Sequence, residues 1–501
     1  MPHTSTTQRV PDTAPPQQQV PTRTRFFLAL SEFAMVINSN VYGLANQIYI
    51  VSLHYNANLV NIAKSIPLFA AMVTNPIIGH FCDNTRSRWG RRKPWLVGGL
   101  ISTVLLSLVF WQAPKSDGEW AWGSFIFLAL LVFLHGNIAT TSYQTGARAL
   151  TFEASTDYDE RTQIFKWVSY LGAMAGFLGP WFLPMCMWIE GSNAQVTKGA
   201  EGVVYIGAIM AAVTLLAGLP IILFCKEKTA EHRGEAKVKF LTAVRMTLHN
   251  KPFWLLVASN FIMRFAMNVT GYFFFFLLIY YVGKGDQTLG ASSRAVMYNT
   301  ISVAMLLATS PIARFTTWIG KKGSLLTALI VSALAYASLG WTFTNVDGAY
   351  VTLSLPWGAG HAFTFQWPCL ISAFFIGAFT NTMPMVKSSM LADICDYDEL
   401  QSGHRREAFY NAVFGVCENV AVALSLAFQG AILAASAFDS TLTTQSDGTL
   451  RFWLYAVVIS QPVGFLIAIV SILFYPLSRK QMVNIRAQLD ARKQAAAMGS
   501  P

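Results

Sequence analysis

Asn75–Lys93 reads NPIIGHFCDNTRSRWGRRK, and Ser310–Gly323 reads SPIARFTTWIGKKG. Each opens with a small polar residue, a proline and an isoleucine in an apolar run. Each ends in a basic pair, Arg91-Arg92 in the first and Lys321-Lys322 in the second. A second phrase recurs at a similar distance: DYDE at Asp157–Glu160 and again at Asp396–Glu399, roughly 240 residues on. About one four-residue identity is expected by chance among roughly 100,000 residue pairs, so DYDE alone proves nothing. Two recurrences in the same order imply a duplicated chain.

Composition says what kind of chain was duplicated. Of 501 residues, 53% are hydrophobic and 12% charged, with mean hydropathy +0.43. A soluble domain carries roughly 25% charged residues, and a bilayer as solvent explains the deficit. Apolar runs of spanning length begin near Phe26, Ile62, Pro94, Trp122, Ile164, Val203, Pro252, Ala295, Ser324, Phe363, Ala408 and Phe452, which gives about 12 spans. The expected fold is an all-α membrane protein of two pseudo-symmetric six-helix bundles. Its expected divisions are a disordered tail (1–25), a first bundle (26–225), a linker (226–251), a second bundle (252–476) and a C-terminal tail (477–501). Both DYDE copies then fall in the same connection of a half, between its fourth and fifth spans. Parallel halves with a site between them are a transporter architecture.

Charge sets orientation and excludes other classes. With both termini inside, about 28 of the 36 Lys and Arg lie in cytoplasmic segments and about 5 outside. The net charge of +11 therefore reflects topology rather than nucleic-acid binding. Six scattered cysteines form neither a disulfide framework nor a zinc site. No cofactor or metal is expected. HExxH, GxSxG and phosphate-cradling loops are missing, so an enzyme is not expected.

The stretch Gly79–Trp95, GHFCDNTRSRWGRRKPW, resembles the loop-2/3 signature of the major facilitator superfamily. DNTRSRWGRRKPW is similar, more narrowly, to the form in glycoside–pentoside–hexuronide:cation symporters, the melibiose-permease-like branch. Ala392–Asn411, ADICDYDELQSGHRREAFYN, resembles that branch's second signature, and Glu153–Gln163, EASTDYDERTQ, fits its loop-4/5 element. The resemblance runs from Phe26 to Arg486. Physically, Asp83 at a helix end and the water-facing Arg86, Arg88, Arg91 and Arg92 can pair with acidic loops. Asp157, Asp159 and Glu160 in one half, with Asp396, Asp398 and Glu399 in the other, read as acidic halves of a cytoplasmic gate. Exposed pairs contribute only ~0–1 kcal/mol each, which suits a latch that must open.

Ionisable residues at membrane depth cost ~2.5–3.5 kcal/mol and need a reason. Glu32 lies in a first span rich in Asn38, Asn40, Asn46 and Gln47; Arg264 has Asn260 and Asn268 one turn to either side. Lys387 follows Pro384, and Glu418 adjoins Asn419. These groups are expected to converge on one cavity, or to form structural pairs such as Glu32–Lys387 or Glu418–Arg264. Lys64 reads as a snorkelling lysine, His135 and His80 as structural histidines, and Tyr272–Phe276 as lipid-facing or packing rather than a sugar platform. Trp341 and Trp367 are candidate sugar-stacking rings. The resemblance implies that a sugar-contacting carboxylate falls on Glu32. It also implies that the sodium-site aspartates fall on Ala71, Asn75 and Gln144, that the helix-eleven lysine is replaced by Asn419, and that a helix-five arginine has no counterpart near Val168–Ser169. Without those carboxylates a sodium site is disfavoured, because a hard cation wants anionic oxygens.

The reading is a proton-coupled symporter of the inner membrane that carries a glycoside, oligosaccharide or hexuronide by alternating access. Glu32 or Glu418 would couple, and Arg264 and Lys387 would hold a substrate carboxylate. A lysophospholipid or other amphiphile carrier of the same fold is the alternative; a non-transporting sensor is a third, weaker one.

Overall fold

The computed structural model describes residues 20–112, 121–155, 158–190, 201–225, 250–284, 287–345, 350–354, 362–380, 382–403, 406–442 and 444–498. The expected linker lies almost wholly outside them, as does Asp157.

Helix follows helix. α1 (Thr22–Ala45) continues through wider turns over Asn46–Ser52. α2 is Ala57–Asn84 and α3 Lys93–Val109. α4 runs through Ala121–Phe133, Leu134–Thr140 and Thr141–Glu153. α5 comprises Tyr158–Leu178, Gly179–Trp181 and Phe182–Glu190, and α6 is Gly202–Phe224. The second half repeats the series. α7 is Lys251–Phe276 with wider turns over Leu277–Val282. α8 (287–319) and α9 (321–345) are the two arms of Gln287–Asn345, broken at Gly320. α10 runs through Trp367–Thr380 and Thr382–Ser402, α11 is Glu407–Ala435, and α12 is Asp447–Leu473. Among the described residues, ten helical segments are long and apolar enough to cross a membrane, and Lys93–Val109 is a shorter apolar one.

The ends obey ordinary capping rules. Asn56 accepts from the amides of Asn58 and Leu59 at the start of α2. Asn250 and Ser446 cap α7 and α12 in the same way. Prolines 67, 76, 220, 311 and 462 sit inside helices, which a membrane bundle tolerates because its neighbours re-satisfy the freed carbonyls. Large apolar side chains such as Leu216, Leu334 and Trp122 face outward at about two-thirds exposure. That is the surface of a lipid-solvated bundle.

Duplication is visible in the backbone. Gly90 and Gly320, each directly before its basic pair, both take left-handed conformations, with φ 100° and 77°. Only glycine adopts these cheaply, and both turn the chain from one span into the next. Within the first half, α1 packs on α5 and α6, α2 on α4, and α3 on α4 and α6. Between the halves, α2 packs on α11 and α5 meets α8. A shift of six helices exchanges these two contacts, as a two-fold relation requires.

The fold is all-α as expected apart from one short antiparallel hairpin, β1 (Tyr350–Ser354) and β2 (Ala362–Gln366), between α9 and α10. One expectation needs correction. Phe363, read as the start of the tenth span, pairs with Leu353 in that hairpin, and the span begins at Trp367. β-Branched and aromatic residues there fit a strand as well as a membrane helix. The two DYDE copies share a connection but not a register. The first opens α5, whose helix begins at Tyr158, while the second lies on the last two turns of α10.

The two ends of the bundle differ. At the end away from the termini, Gln47 donates to Gln287 at 3.2 Å, Asn61 donates to the Tyr272 hydroxyl at 2.9 Å, and His54 bonds Ser440 at 3.0 Å. A Cβ on Gly430 would stand 2.7 Å from the Cα of Asn58, so α2 and α11 touch backbone to backbone. Each of these contacts joins the two halves. At the termini face, the ion pairs between described side chains stay within one half.

Candidate functional site

Four ionisable residues lie ten to fifteen residues from the termini-face ends of their helices: Glu32 on α1, Arg264 on α7, Lys387 on α10 and Glu418 on α11. At 1.5 Å per residue they sit about 15–22 Å in, near the middle of a bilayer.

The second half gathers three of them. Arg264 forms an ion pair with Glu418, joining α7 to α11, and both side chains keep about a third of their surface exposed. Lys387 is shut in, 2% exposed. Its Nζ donates to Asn260 Oδ1 at 3.1 Å and lies 3.0 Å from Met263 Sδ. The Asn268 amide donates to the Arg264 carbonyl, and Gln429 donates to the Asn268 carbonyl. Asn419 is half-buried beside Glu418 and makes no hydrogen bond with a described residue. Of the two expected structural pairs, Glu418–Arg264 forms; Glu32–Lys387 does not, since Lys387 is satisfied by neutral acceptors.

The first half is organised differently. The Tyr42 hydroxyl bonds His135 Nδ1 at 2.6 Å, and Ser107 bonds His135 Nε2 and Asn38 Oδ1, both at 3.0 Å. Asn38 also donates to Thr140, a longer contact. This closed, neutral network ties α1, α3 and α4 and buries Asn38 and His135. Asn46 accepts from Lys64 at 2.7 Å, so Lys64 is held by an amide rather than reaching for the bilayer edge. Tyr272–Phe276 is core rather than lipid-facing.

Glu32 stands apart from that network. It lines a cavity of about 340 Å³ with Ser31, Gln144, Arg148 and Thr151, and its Cγ would lie 3.6 Å from a Cβ on Gly172 of α5. The cavity walls come from α1, α4 and α5, all in the first half. Neither Glu32 nor Arg148 forms a hydrogen bond or ion pair with a described residue. The expected single cavity shared by all four charges is therefore not what the side chains line. Sequence reasoning missed Arg148. The signal was there, one turn after Gln144 on the same face of α4, inside a span otherwise poor in charge.

The termini face carries the expected gate residues, with different partners. Glu160 accepts from Ser155 at 2.5 Å, from Arg25 at 3.1 Å and from the Val20 amide. Burial pushes its carboxyl upward, but these bonds outweigh burial and hold it below the usual glutamate value. Asp396 pairs with Arg486 at 3.3 Å, and Asp398 takes Arg406 through two nitrogens. Asp393, outside the expected set, receives Lys321 at 2.6 Å and Arg486 at 3.0 Å. Glu399 lies half-buried on the last turns of α10. Arg86 and Arg88 are exposed, with Arg88 over the Trp89 ring at 5.7 Å. Arg92 departs from expectation: directly before α3, it is 6% exposed rather than water-facing. The Asp83, Asp157 and Asp159 side chains lie outside the described residues. Arg486 belongs to α13 (Arg479–Met498), a helix where the sequence suggested only a tail.

A bundle of two six-helix halves, polar at its centre and apolar at its rim, defines a membrane carrier. The family model described as MFS/sugar transport protein matches residues 32–479. The chain belongs to that family, in the glycoside–pentoside–hexuronide symporter branch of the major facilitator superfamily. It is 26% identical to the uncharacterized symporter sll1374 of Synechocystis sp., with 84% of this chain and 88% of that one covered. It is 22% identical to the isoprimeverose transporter of Lactiplantibacillus pentosus, with 96% and 94% covered. Among solved structures, the nucleoside transporter NupG matches with a TM-score of 0.62 at 12% identity, over 90% of this chain and all of that one. The chain is a multi-pass membrane sugar transporter, not an enzyme.

Proposed function

We propose that the chain carries a glycoside, oligosaccharide or hexuronide across the inner membrane by alternating access, both termini cytoplasmic, with a proton as the driving ion. One observation carries this reading: Glu32, a carboxylate at membrane depth, lines a cavity of mixed apolar and polar walls and makes no hydrogen bond or ion pair with a described residue. A carboxylate not held in an ion pair can exchange its proton with solvent or substrate, whereas Glu418 is committed to Arg264. The positions that resemblance assigns to a sodium site hold Ala71, Asn75 and Gln144, which offer no anionic oxygen.

Bonds between the halves at the far end, with the ion pairs between described side chains lying inside each half at the termini face, support one of the two end states of a rocking cycle. Substrate would then enter or leave from the termini side. For an acidic sugar, Arg148 is the cation in place, since Arg264 and Lys387 are engaged.

Reconstituted protein tests this with neutral glycosides, uronides and a lysolipid, under a pH gradient, a sodium gradient or neither. Sugar accumulation under the pH gradient alone is expected. Accumulation driven by sodium would overturn proton coupling, and lysolipid movement without sugar movement would overturn the cargo.

A further inference from the structure

A second, larger cavity lies at the termini face of the second half, away from Glu32. It measures about 800 Å³ and is walled by the α8–α9 break, α10 and the start of α13. Four cations line it: Lys321, Lys322, Arg479 and Arg486. Their partners are mostly neutral. Lys322 donates to the carbonyls of Leu473 and Tyr475, Arg479 to that of Thr317, and Lys321 to that of Ser389. The carboxylates within reach are Asp393 and Asp396, taken by Lys321 and Arg486. Four cations against two carboxylates leave a surplus of about two positive charges, because carbonyls orient a cation without cancelling it.

The level of this cavity in the molecule identifies its occupant. Leu473 ends the last apolar span, and the Gly320 break is where α8 turns into α9. Around it Trp318, Phe474 and Val483 are 79%, 70% and 66% exposed. Aromatic side chains held out at helix ends mark the headgroup layer. The walls between the cations are apolar, from Leu326, Met385 and Met482. A soluble anion would use the cations alone; an amphiphile uses both surfaces.

We propose that this cavity binds the phosphate headgroup of an anionic membrane lipid, its chain lying along the apolar wall. Such a lipid ties α13 to α10 and to the α8–α9 turn, beside the Asp393 ion pairs. It is a site apart from the transported cargo.

The test is native mass spectrometry of the delipidated full chain, titrated with phosphatidylglycerol, phosphatidylethanolamine or inorganic phosphate. Phosphatidylglycerol is expected to be retained at least fivefold better than phosphatidylethanolamine. Arg479→Gln should cost about fivefold in its retention, as one juxtamembrane charge is worth. Arg486→Gln should cost at least as much, while Lys480→Gln, next to the cavity but not in its wall, leaves retention unchanged. Arg479 makes one surface bond to a carbonyl, so its variant keeps the fold even where loss of Arg486 does not. Equal retention of the two lipids, or equal losses in the Arg479 and Lys480 variants, would overturn the proposal. Phosphate displacing the lipid at equal concentration would overturn the lipid assignment and leave a small-anion site.

Discussion

The two halves share a fold and spend their polar residues in opposite ways. In the first, Asn38, Tyr42, Ser107 and His135 satisfy one another without a formal charge, and Glu32 is left beside Arg148 in an open cavity. In the second, Glu418 is matched with Arg264, and Lys387 is closed in against Asn260 and Met263. Equal topology therefore does not mean equal chemistry. One half holds a carboxylate unpaired among the described residues; the other holds an ion pair that joins α7 to α11.

This difference can be broken one side chain at a time. The largest effect is expected in the first half: Glu32→Gln should lower pH-driven sugar accumulation about 10–100-fold, the loss of one charged hydrogen bond to the bound sugar. Uptake by proteoliposomes reads it. Glu418→Gln should lower uptake by about 5–30-fold, since the pair is partly exposed and worth less than a buried one. Arg264→Gln added to Glu418→Gln should restore part of that loss, because a lone cation is worse than none. No recovery in the double variant would mean that Glu418 acts on substrate rather than on Arg264.

Next comes His135→Phe, which deletes the centre of the neutral network. It should destabilise the chain by about 1–3 kcal/mol, read as a lower unfolding midpoint in detergent, while uptake stays within severalfold. The smallest effect lies at Glu160. Its carboxyl titrates below the ordinary value of 4.5, so its contribution is complete above that value. It is lost as pH falls through the lower folded value. Hydrogen exchange in Val20–Arg25 should quicken over that window in the native chain. In Glu160→Gln it should be fast at every pH, for a total of ~0–1 kcal/mol.

Most of the fold was legible because its signals are long. Twenty-residue apolar runs and a basic pair repeated after an equivalent glycine survive any local ambiguity. The hairpin did not stand out because AFTFQ is apolar, aromatic and β-branched at once, and hydropathy cannot tell such a strand from a span. DYDE shows why identity alone proves nothing: Tyr158–Glu160 begin one helix, while Asp396–Glu399 lie near the end of another. The candidate site was half legible. Rare charges at depth pointed to Glu32, Arg264, Lys387 and Glu418, but not to partners. Whether Lys387 meets Glu32 or Asn260 depends on helix rotation about axes that sequence periodicity fixes only within a turn. Arg148 carried the same signal, a rare charge in an apolar span one turn after Gln144, whereas the C-terminal helix was hidden because its charged face reads as a tail.

The most direct measurement is the number of protons taken up when sugar binds, from calorimetric titration in two buffers of different ionisation enthalpy. It is made on the native chain and on Glu32→Gln. The account predicts a proton linked to binding in the native chain and none in the variant. An unchanged proton count in Glu32→Gln, with sugar still bound, would contradict it and move coupling to another group.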